Sequence, residues 1–205
     1  MKMLTRLITG AIILASTLTV AHAAEKTLFY IHGCCINKVG GEAYETIVRD
    51  LNSSGFNVTF DLRYDDSDAE VKAYAAKVAG QVKDLLTKGT APEDITVSGY
   101  SLGSVTAMLA SIEIANPKVN YVLLAGCPNN NKRSIDYSKV QGRILSLVDV
   151  KDDRFGSCRS LLPESALKKE VEFDSGDGHK IFRYTTDKAY KLWKEPLEAW
   201  AKGQQ

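Results

Sequence analysis

The 205 residues include 26 Lys and Arg and 25 Asp and Glu, so the positive and negative charges nearly cancel. Neither sign is concentrated in a long block, which excludes the basic surface that nucleic-acid-binding and anionic-lipid-binding proteins carry. We therefore expect no nucleic-acid partner.

The N-terminus has the features of a secretory signal peptide. Lys2 and Arg6 precede an apolar stretch, 7–20, that ends in Ala21-His22-Ala23, and this order is typical of a cleaved leader. The stretch is shorter than the roughly 20 residues that a membrane-spanning helix needs. We predict cleavage after Ala23, an exported protein that is periplasmic or secreted, and no integral membrane segment in the mature chain. An uncleaved N-terminal anchor is the alternative.

Residues 24–205 have the length of one domain, and short apolar runs alternate in them with stretches of helical periodicity. This alternation predicts an α/β fold, with a mostly parallel sheet and helices on both faces. The predicted strands are 28–31, 56–62, 95–98, 121–125, 144–150 and a weakly signalled 171–173. The predicted helices are 42–51, 67–89, 102–115 and a last one that contains residues 190–200, which Pro196 kinks or restarts.

The helix after the second strand has clear signals at both ends. Ser67 and Glu70 match the S-x-x-E pattern of a capping box, and Gly89 supplies a C-terminal stop. Apolar residues recur between these ends at helical spacing, so this helix is the best defined in the chain.

The segment Gly99-Tyr100-Ser101-Leu102-Gly103 matches the G-x-S-x-G pattern of a nucleophile elbow, between a predicted strand and a predicted helix. Side chains at positions 99 and 103 would collide where the strand and the helix cross, which explains both glycines. The turn would place Ser101 at a helix N-terminus, where free backbone N–H groups can stabilise an oxyanion. An ordinary glycine-flanked turn is the alternative.

A nucleophilic serine needs a general base, and histidine is the usual one. The sequence contains three histidines. His22 belongs to the predicted signal peptide and His32 precedes the serine, so His179 is the candidate base. It follows the glycines of segment 176–178, between the last predicted strand and the last helix. A solvated loop histidine is the alternative.

A carboxylate after the fifth predicted strand would hold the imidazole in the required tautomer. Asp149 lies at the end of that strand, and Asp152 and Asp153 lie in the turn beyond it. We favour Asp152, followed by Asp153 and then Asp149, because a side chain in the turn can point back toward the histidine. We expect the two unused acids to be solvated.

The order of these pieces resembles the α/β-hydrolase superfamily over nearly all of the mature sequence. The matching pieces are a strand that ends in His32-Gly33, the elbow at Ser101, an acid after a later strand, and Gly178-His179 near the end. The resemblance implies an oxyanion hole formed by the backbone N–H groups of Cys34 and Leu102. Only residues 127–142 separate the fourth and fifth predicted strands, too few for a helical cap, so we expect an open site.

Four cysteines, Cys34, Cys35, Cys127 and Cys158, remain after cleavage, and exported proteins usually form disulfides. Their sequence permits three complete pairings, and free buried thiols are a further possibility. A bridge from Cys158 would hold the acid loop, either to Cys34 or Cys35 or to Cys127. No C-x-x-C pair occurs, so neither a redox motif nor a zinc knuckle is indicated. We expect no metal and no cofactor.

The favoured function is that of a monomeric serine hydrolase that cleaves a carboxylic ester or thioester through an acyl-enzyme. One alternative keeps the triad and transfers the acyl group to an acceptor other than water. A second is an exported protein of the same fold that binds a ligand without turnover. A missing triad member would indicate the second alternative, and the sequence supplies a candidate for each member.

Overall fold

The computed structural model of the protein describes residues 25–130 and 135–204. The predicted signal peptide, 1–23, and its cleavage site lie outside the described residues. Within them, no helix is both long enough and apolar enough to cross a membrane.

Six parallel strands form the central sheet, in the order β2-β1-β3-β4-β6-β8. Two further strands, β5 and β7, form a small antiparallel pair. In chain order the strands are β1 (Lys26–Ile31), β2 (Phe56–Thr59), β3 (Ile95–Tyr100), β4 (Asn120–Leu124), β5 (Cys127–Pro128), β6 (Arg143–Asp149), β7 (Phe155–Gly156) and β8 (Leu167–Phe173).

The helices connect these strands and cover the sheet. They are α1 (Ile36–Val39), α2 (Glu42–Ser53), α3 (Asp68–Thr87), α4 (Leu102–Ile114), α5 (Asp187–Ala189) and α6 (Glu195–Ala201). Short 3₁₀ turns lie at Pro92–Asp94, Tyr137–Lys139 and Gly178–Arg183, and a π-helical turn, Tyr190–Lys194, joins α5 to α6.

The core has two layers, one on each face of the sheet. Because successive side chains of a strand point to opposite faces, Phe29 and Ile31 of β1 pack with α3 and α4, whereas Leu28 and Tyr30 pack with α2 and α6. The central strands are buried on both faces, which is why they read as short runs rich in apolar, β-branched and aromatic residues. The predicted fold class, a parallel sheet with helices on both faces, is confirmed.

Two predicted strand boundaries are wrong by three residues or more, and the other strand ends differ by at most two residues. The second strand ends at Thr59 and not at 62, because the chain then turns toward α3, and the N–H of Arg63 bonds the His32 ring. The sixth predicted strand starts at Leu167, before the predicted 171, and pairs with β6 along its length. Its first half was not recognised as a strand because it contains polar residues. An edge strand can carry them because one face and one edge are exposed to solvent.

The predicted helix ends also differ in detail. The Ser67 hydroxyl accepts a hydrogen bond from the N–H of Glu70, as expected, but the N–H of Ser67 donates to Asp65, so only half of the capping box forms. The last helix is divided by the π-helical turn, and Pro196 lies in the first turn of α6. Between β4 and β6, the described residues contain no helical cap.

Candidate active site

Ser101 lies at a sharp turn between β3 and α4. Its backbone has φ 56° and ψ −117°, a conformation that non-glycine residues rarely adopt. A Cβ atom on Gly99 would lie 2.1 Å from the carbonyl oxygen of Gly103, and one on Gly103 would lie 2.0 Å from that of Ile31. Both glycines are therefore required by the crossing of strand and helix, as the sequence predicts.

Three side chains form a hydrogen-bonded series at the carboxyl edge of the sheet. His179 Nε2 lies 2.8 Å from Ser101 Oγ, and His179 Nδ1 lies 2.5 Å from Asp152 Oδ2. Since a carboxylate only accepts hydrogen bonds, Nδ1 carries the proton and donates it to Asp152. Nε2 is then left to accept the hydrogen bond from the serine hydroxyl.

The three candidate acids after β6 have different surroundings. Asp152 alone among them contacts His179. Asp153 is solvated, with 90% of its side chain exposed, and lies 3.7 Å from Arg154. Asp149 is fully buried, and its carboxylate accepts hydrogen bonds from the N–H of Lys151 and from Ser175. The expectation that both unused acids are solvated is therefore wrong for Asp149.

Hydrogen bonds keep the Asp152 side chain ionised. Burial raises the pKa of this carboxyl, but hydrogen bonds from His179 and from the N–H groups of Arg154 and Phe155 outweigh burial and lower the pKa below its ordinary value. The same bonds fix the carboxylate in the turn after β6. Asp152 therefore presents a negative charge to His179 at neutral pH.

His179 has two further contacts, one to its backbone and one to its ring. The Tyr100 hydroxyl donates to the backbone carbonyl of His179 at 2.9 Å, and the Phe155 ring stacks on the imidazole with ring centroids 5.2 Å apart. Only 7% of His179 is exposed. Because both neighbours come from different elements, β3 and β7, the ring orientation is set by tertiary packing.

His32, the other described histidine, has a different environment. Its Nε2 accepts from the N–H of Arg63 at 2.8 Å, so its Nδ1 donates to the carbonyl of Gly33 at 2.6 Å. Burial, followed by the nearby Arg63 charge, lowers the pKa of His32 to about 4. The ring is therefore neutral at physiological pH. It donates a hydrogen bond to the carbonyl of the peptide group whose N–H belongs to Cys34.

The two residues expected to form an oxyanion hole flank the serine. Leu102 is the first residue of α4, so its N–H has no intrahelical partner. Cys34 follows Gly33, whose Cβ position would lie 3.2 Å from Ser101 Cβ, so this loop lies against the nucleophile. The cysteines pair as Cys34–Cys35 and Cys127–Cys158, two of the bonds that the sequence left open.

A groove of about 570 Å³ opens beside Ser101. Its walls combine apolar and polar side chains. The apolar group includes the Cys34–Cys35 disulfide, Leu102, Val105, Pro128, Ile135, Tyr137 and Phe155, and the polar group includes Asp66, Asn129, Asn130, Asp153 and Arg154. Such a groove can accept an acyl chain with its carbonyl at the serine.

Solved structures with a similar fold include three proteins of low sequence identity. SOBER1 from Arabidopsis thaliana is 16% identical, and the match covers 88% of this chain and 99% of that chain with a TM-score of 0.59. The chain has the α/β-hydrolase fold. A carboxylesterase from Mesorhizobium loti is 14% identical, with 86% and 90% covered and a TM-score of 0.55. A lipase-esterase related protein from Clostridium acetobutylicum is 14% identical, with 83% and 93% covered and a TM-score of 0.52.

No family model matches the sequence, and no curated protein is similar to it. The α/β-hydrolase fold thus explains how the strand ends bring the site together, while the chemistry has to be argued from this chain's own residues.

Several residues that shape the site of this α/β-hydrolase fold were missed by sequence reasoning. Asp66 accepts a hydrogen bond from the N–H of Cys35 at 2.7 Å, and the Arg63 guanidinium donates to the carbonyl of His32 at 2.9 Å. Phe155 stacks on His179. The signal for the first two was the charged segment 63–66, which directly follows the second predicted strand.

Proposed function

We propose that the protein is a serine hydrolase that cleaves a carboxylic ester or thioester through an acyl-enzyme. The observation that supports this proposal best is the series from Ser101 Oγ to His179 Nε2, at 2.8 Å, and from His179 Nδ1 to Asp152 Oδ2, at 2.5 Å. These are the contacts that an activated serine needs from its base, and the base from its orienting carboxylate.

In the acylation step, Ser101 Oγ attacks the carbonyl carbon of the ester while its proton moves to His179 Nε2. The imidazole becomes positively charged, and the Asp152 carboxylate stabilises this charge. The carbonyl oxygen gains negative charge as the tetrahedral intermediate forms, and the N–H groups of Cys34 and Leu102 donate hydrogen bonds to it. The intermediate collapses when His179 protonates the leaving alcohol or thiol.

In the deacylation step, a water molecule takes the place of the leaving group. His179 Nε2 accepts a proton from this water, whose oxygen attacks the acyl carbon, and the same proton then returns to Ser101 Oγ as the acid departs. We expect this water to enter through the groove beside Ser101.

We also propose that the enzyme acts outside the cytoplasm. The N-terminal leader carries an A-x-A cleavage site, and the two disulfides fit an oxidising compartment. An exported enzyme with an open groove can act on esters that are too large to enter the cell.

A fluorophosphonate probe tests the proposal because it phosphonylates only activated serines. We expect the probe to label Ser101 in the wild-type protein, and we expect p-nitrophenyl acetate to be hydrolysed. Ser101→Ala and His179→Ala should abolish both reactions while the circular dichroism spectrum stays unchanged. A folded wild-type protein that reacts with neither compound would contradict the proposed function and favour a ligand-binding role.

A further inference from the structure

The Cys34–Cys35 disulfide joins adjacent residues in the loop that lies against the nucleophile. Both cysteines are half-buried and line the groove at Ser101. A disulfide between neighbours closes almost no loop in the unfolded chain, so it removes little entropy from the unfolded state. The Cys127–Cys158 bond spans a sequence separation of 31 and has a clear role in stability. The adjacent pair requires a different explanation.

The ring that this bond closes contains the peptide group between Cys34 and Cys35, so it restricts the backbone on both sides of that group. Cys35 has φ 71° and ψ 33°, in the left-handed region that non-glycine residues rarely occupy. Its N–H donates to Asp66 at 2.7 Å, and its carbonyl accepts from the N–H groups of Lys38 and Val39 in α1. The peptide group after Cys34 is thus held by its hydrogen bond to Asp66 and by the disulfide ring, and the next peptide group is held by the first turn of α1.

The peptide group before Cys34 is fixed as well. Its carbonyl belongs to Gly33 and accepts from His32 Nδ1 at 2.6 Å, and its N–H is that of Cys34. Because the C=O and N–H of one peptide group point in opposite directions, the bond to His32 turns the N–H of Cys34 away from His32. A Cβ on Gly33 would lie 3.0 Å from the Tyr100 ring and 3.2 Å from Ser101 Cβ, so this part of the loop lies beside Ser101.

From these contacts we infer that the Cys34–Cys35 disulfide is a positioning element of catalysis, which holds the N–H of Cys34 toward the oxyanion. The inference rests on the proposed function. The bond acts in the transition state, where the oxyanion is present, and contributes little to substrate binding or to global stability. The two disulfides of the chain thus have separate roles. Cys34–Cys35 supports the catalytic rate, and Cys127–Cys158 stabilises the fold.

Two double variants separate these roles. In Cys34→Ser/Cys35→Ser, kcat for p-nitrophenyl acetate should fall roughly 10²-fold, toward the ~10²–10³ that is lost with one oxyanion donor, while KM and Tm change little. In Cys127→Ser/Cys158→Ser, Tm should fall while kcat at low temperature stays within a few-fold of wild type. Equal kcat in the wild type and the first variant would overturn the inference.

A transition-state analogue gives a readout that a purely structural role would not change. An alkylboronic acid adds to Ser101 Oγ, forming a tetrahedral boronate whose oxygen occupies the oxyanion position. Its Ki should rise in Cys34→Ser/Cys35→Ser by the same factor by which kcat/KM falls, and Cys127→Ser/Cys158→Ser should leave Ki unchanged. A Ki that stays at the wild-type value in the first variant would contradict the inference.

Reduction of the wild type keeps the inference testable if the first variant does not fold. Dithiothreitol supplies two electrons and two protons, which convert the Cys34–Cys35 disulfide to two thiols while the reagent becomes a cyclic disulfide. Because Cys127 and Cys158 are buried, the half-buried pair should be reduced first, and activity should fall with that reduction and return when oxidised glutathione reforms the bond. Alkylation of quenched samples followed by mass spectrometry identifies which cysteines were reduced. Full activity with the Cys34–Cys35 bond reduced would overturn the inference. A wild type without ester turnover would instead overturn the proposed function and, with it, this inference.

Discussion

The Asp149 carboxylate accepts hydrogen bonds from both the N–H and the hydroxyl of Ser175. It also accepts from the N–H of Lys151 at 2.9 Å. Asp149 ends β6 and begins the loop that carries Asp152, whereas Ser175 lies in the loop that carries His179. One buried carboxylate therefore joins the acid loop to the histidine loop, and the distance between Asp152 and His179 depends on it.

Asp149→Ala should destabilise the protein by about 3 kcal/mol, because it leaves buried N–H and O–H donors without an acceptor. The turnover number should also fall, since the two loops lose their connection. Urea unfolding and ester hydrolysis measure the two effects. Ser175→Ala is the matched control and should cost less, because the N–H of residue 175 can still donate to Asp149. A variant Asp149→Ala as stable as the wild type would contradict this role.

Asp152→Asn should lower kcat by about 10⁴, the scale of loss when a triad carboxylate becomes an amide. The amide can donate to His179 Nδ1, which favours the tautomer with the proton on Nε2, and that nitrogen can then no longer accept the serine proton. Steady-state hydrolysis with circular dichroism as a check on folding measures the effect. Asp153→Asn, at an exposed neighbour, should retain nearly full activity. The opposite ranking of the two variants would transfer the role to Asp153.

Most of the sheet could be predicted from the sequence because the buried strands are short runs rich in apolar, β-branched and aromatic residues. The segments of β1, β3, β4 and β6 are such runs, and each overlaps its predicted strand. β8 was harder because its first half, Leu167–Glu170, is polar and lies at the edge of the sheet. The short pair β5 and β7 carries too few residues for any periodicity to be visible.

Part of the candidate site can likewise be predicted from local sequence patterns, whereas the rest depends on tertiary contacts. Ser101 stands in a motif and His179 is selected by chain order, so the sequence alone predicts both as candidates. The choice among Asp149, Asp152 and Asp153 depends on how the backbone turns after β6, which no local pattern specifies. The disulfide pairing and the contacts of Arg63 and Asp66 depend on which loops meet at the sheet edge.

Gly103→Ala should prevent the strand and helix at the elbow from crossing at their present distance. The added Cβ would lie 2.0 Å from the backbone carbonyl oxygen of Ile31 and 2.8 Å from that of His32, and backbone atoms cannot move aside as a flexible side chain can. We expect a loss of more than about 4 kcal/mol of stability, or failure to fold, together with loss of activity. Thermal unfolding and phosphonylation of Ser101 measure both effects.

Gly80→Ala is the control for that substitution. Gly80 lies exposed within α3, with no atom near its Cβ position, so alanine should stabilise the helix by roughly 0.5–1 kcal/mol. Equal effects of the two substitutions would show that the close crossing at Gly103 is not a requirement of the fold.

The stability of the protein should fall as the pH decreases from about 6.5 to about 4, because His32 resists protonation in the folded state. Its folded pKa is lowered to about 4, whereas the unfolded chain has the ordinary value of 6.5. Below pH 6.5 the unfolded state binds a proton that the folded state does not. The stability that neutral His32 contributes to the fold is therefore complete above this pH and is lost as the pH falls. A pKa shift of this size lowers the free energy of unfolding by roughly 3 kcal/mol between neutral pH and pH 4.

His32→Asn removes this titration while its amide can still donate to the carbonyl of Gly33. We therefore expect urea unfolding of this variant to depend less on pH between 6.5 and 4 than that of the wild type, and the two proteins to differ most near neutral pH. The lowered pKa of Asp152 acts in the same direction, because the unfolded chain again binds the proton first, but only near and below the ordinary aspartate value of about 3.9. That carboxylate therefore keeps its stabilising charge over most of this range. A wild type and a His32→Asn variant with identical pH dependence would show that the His32 ring is protonated without cost, contrary to its burial between Gly33 and Arg63.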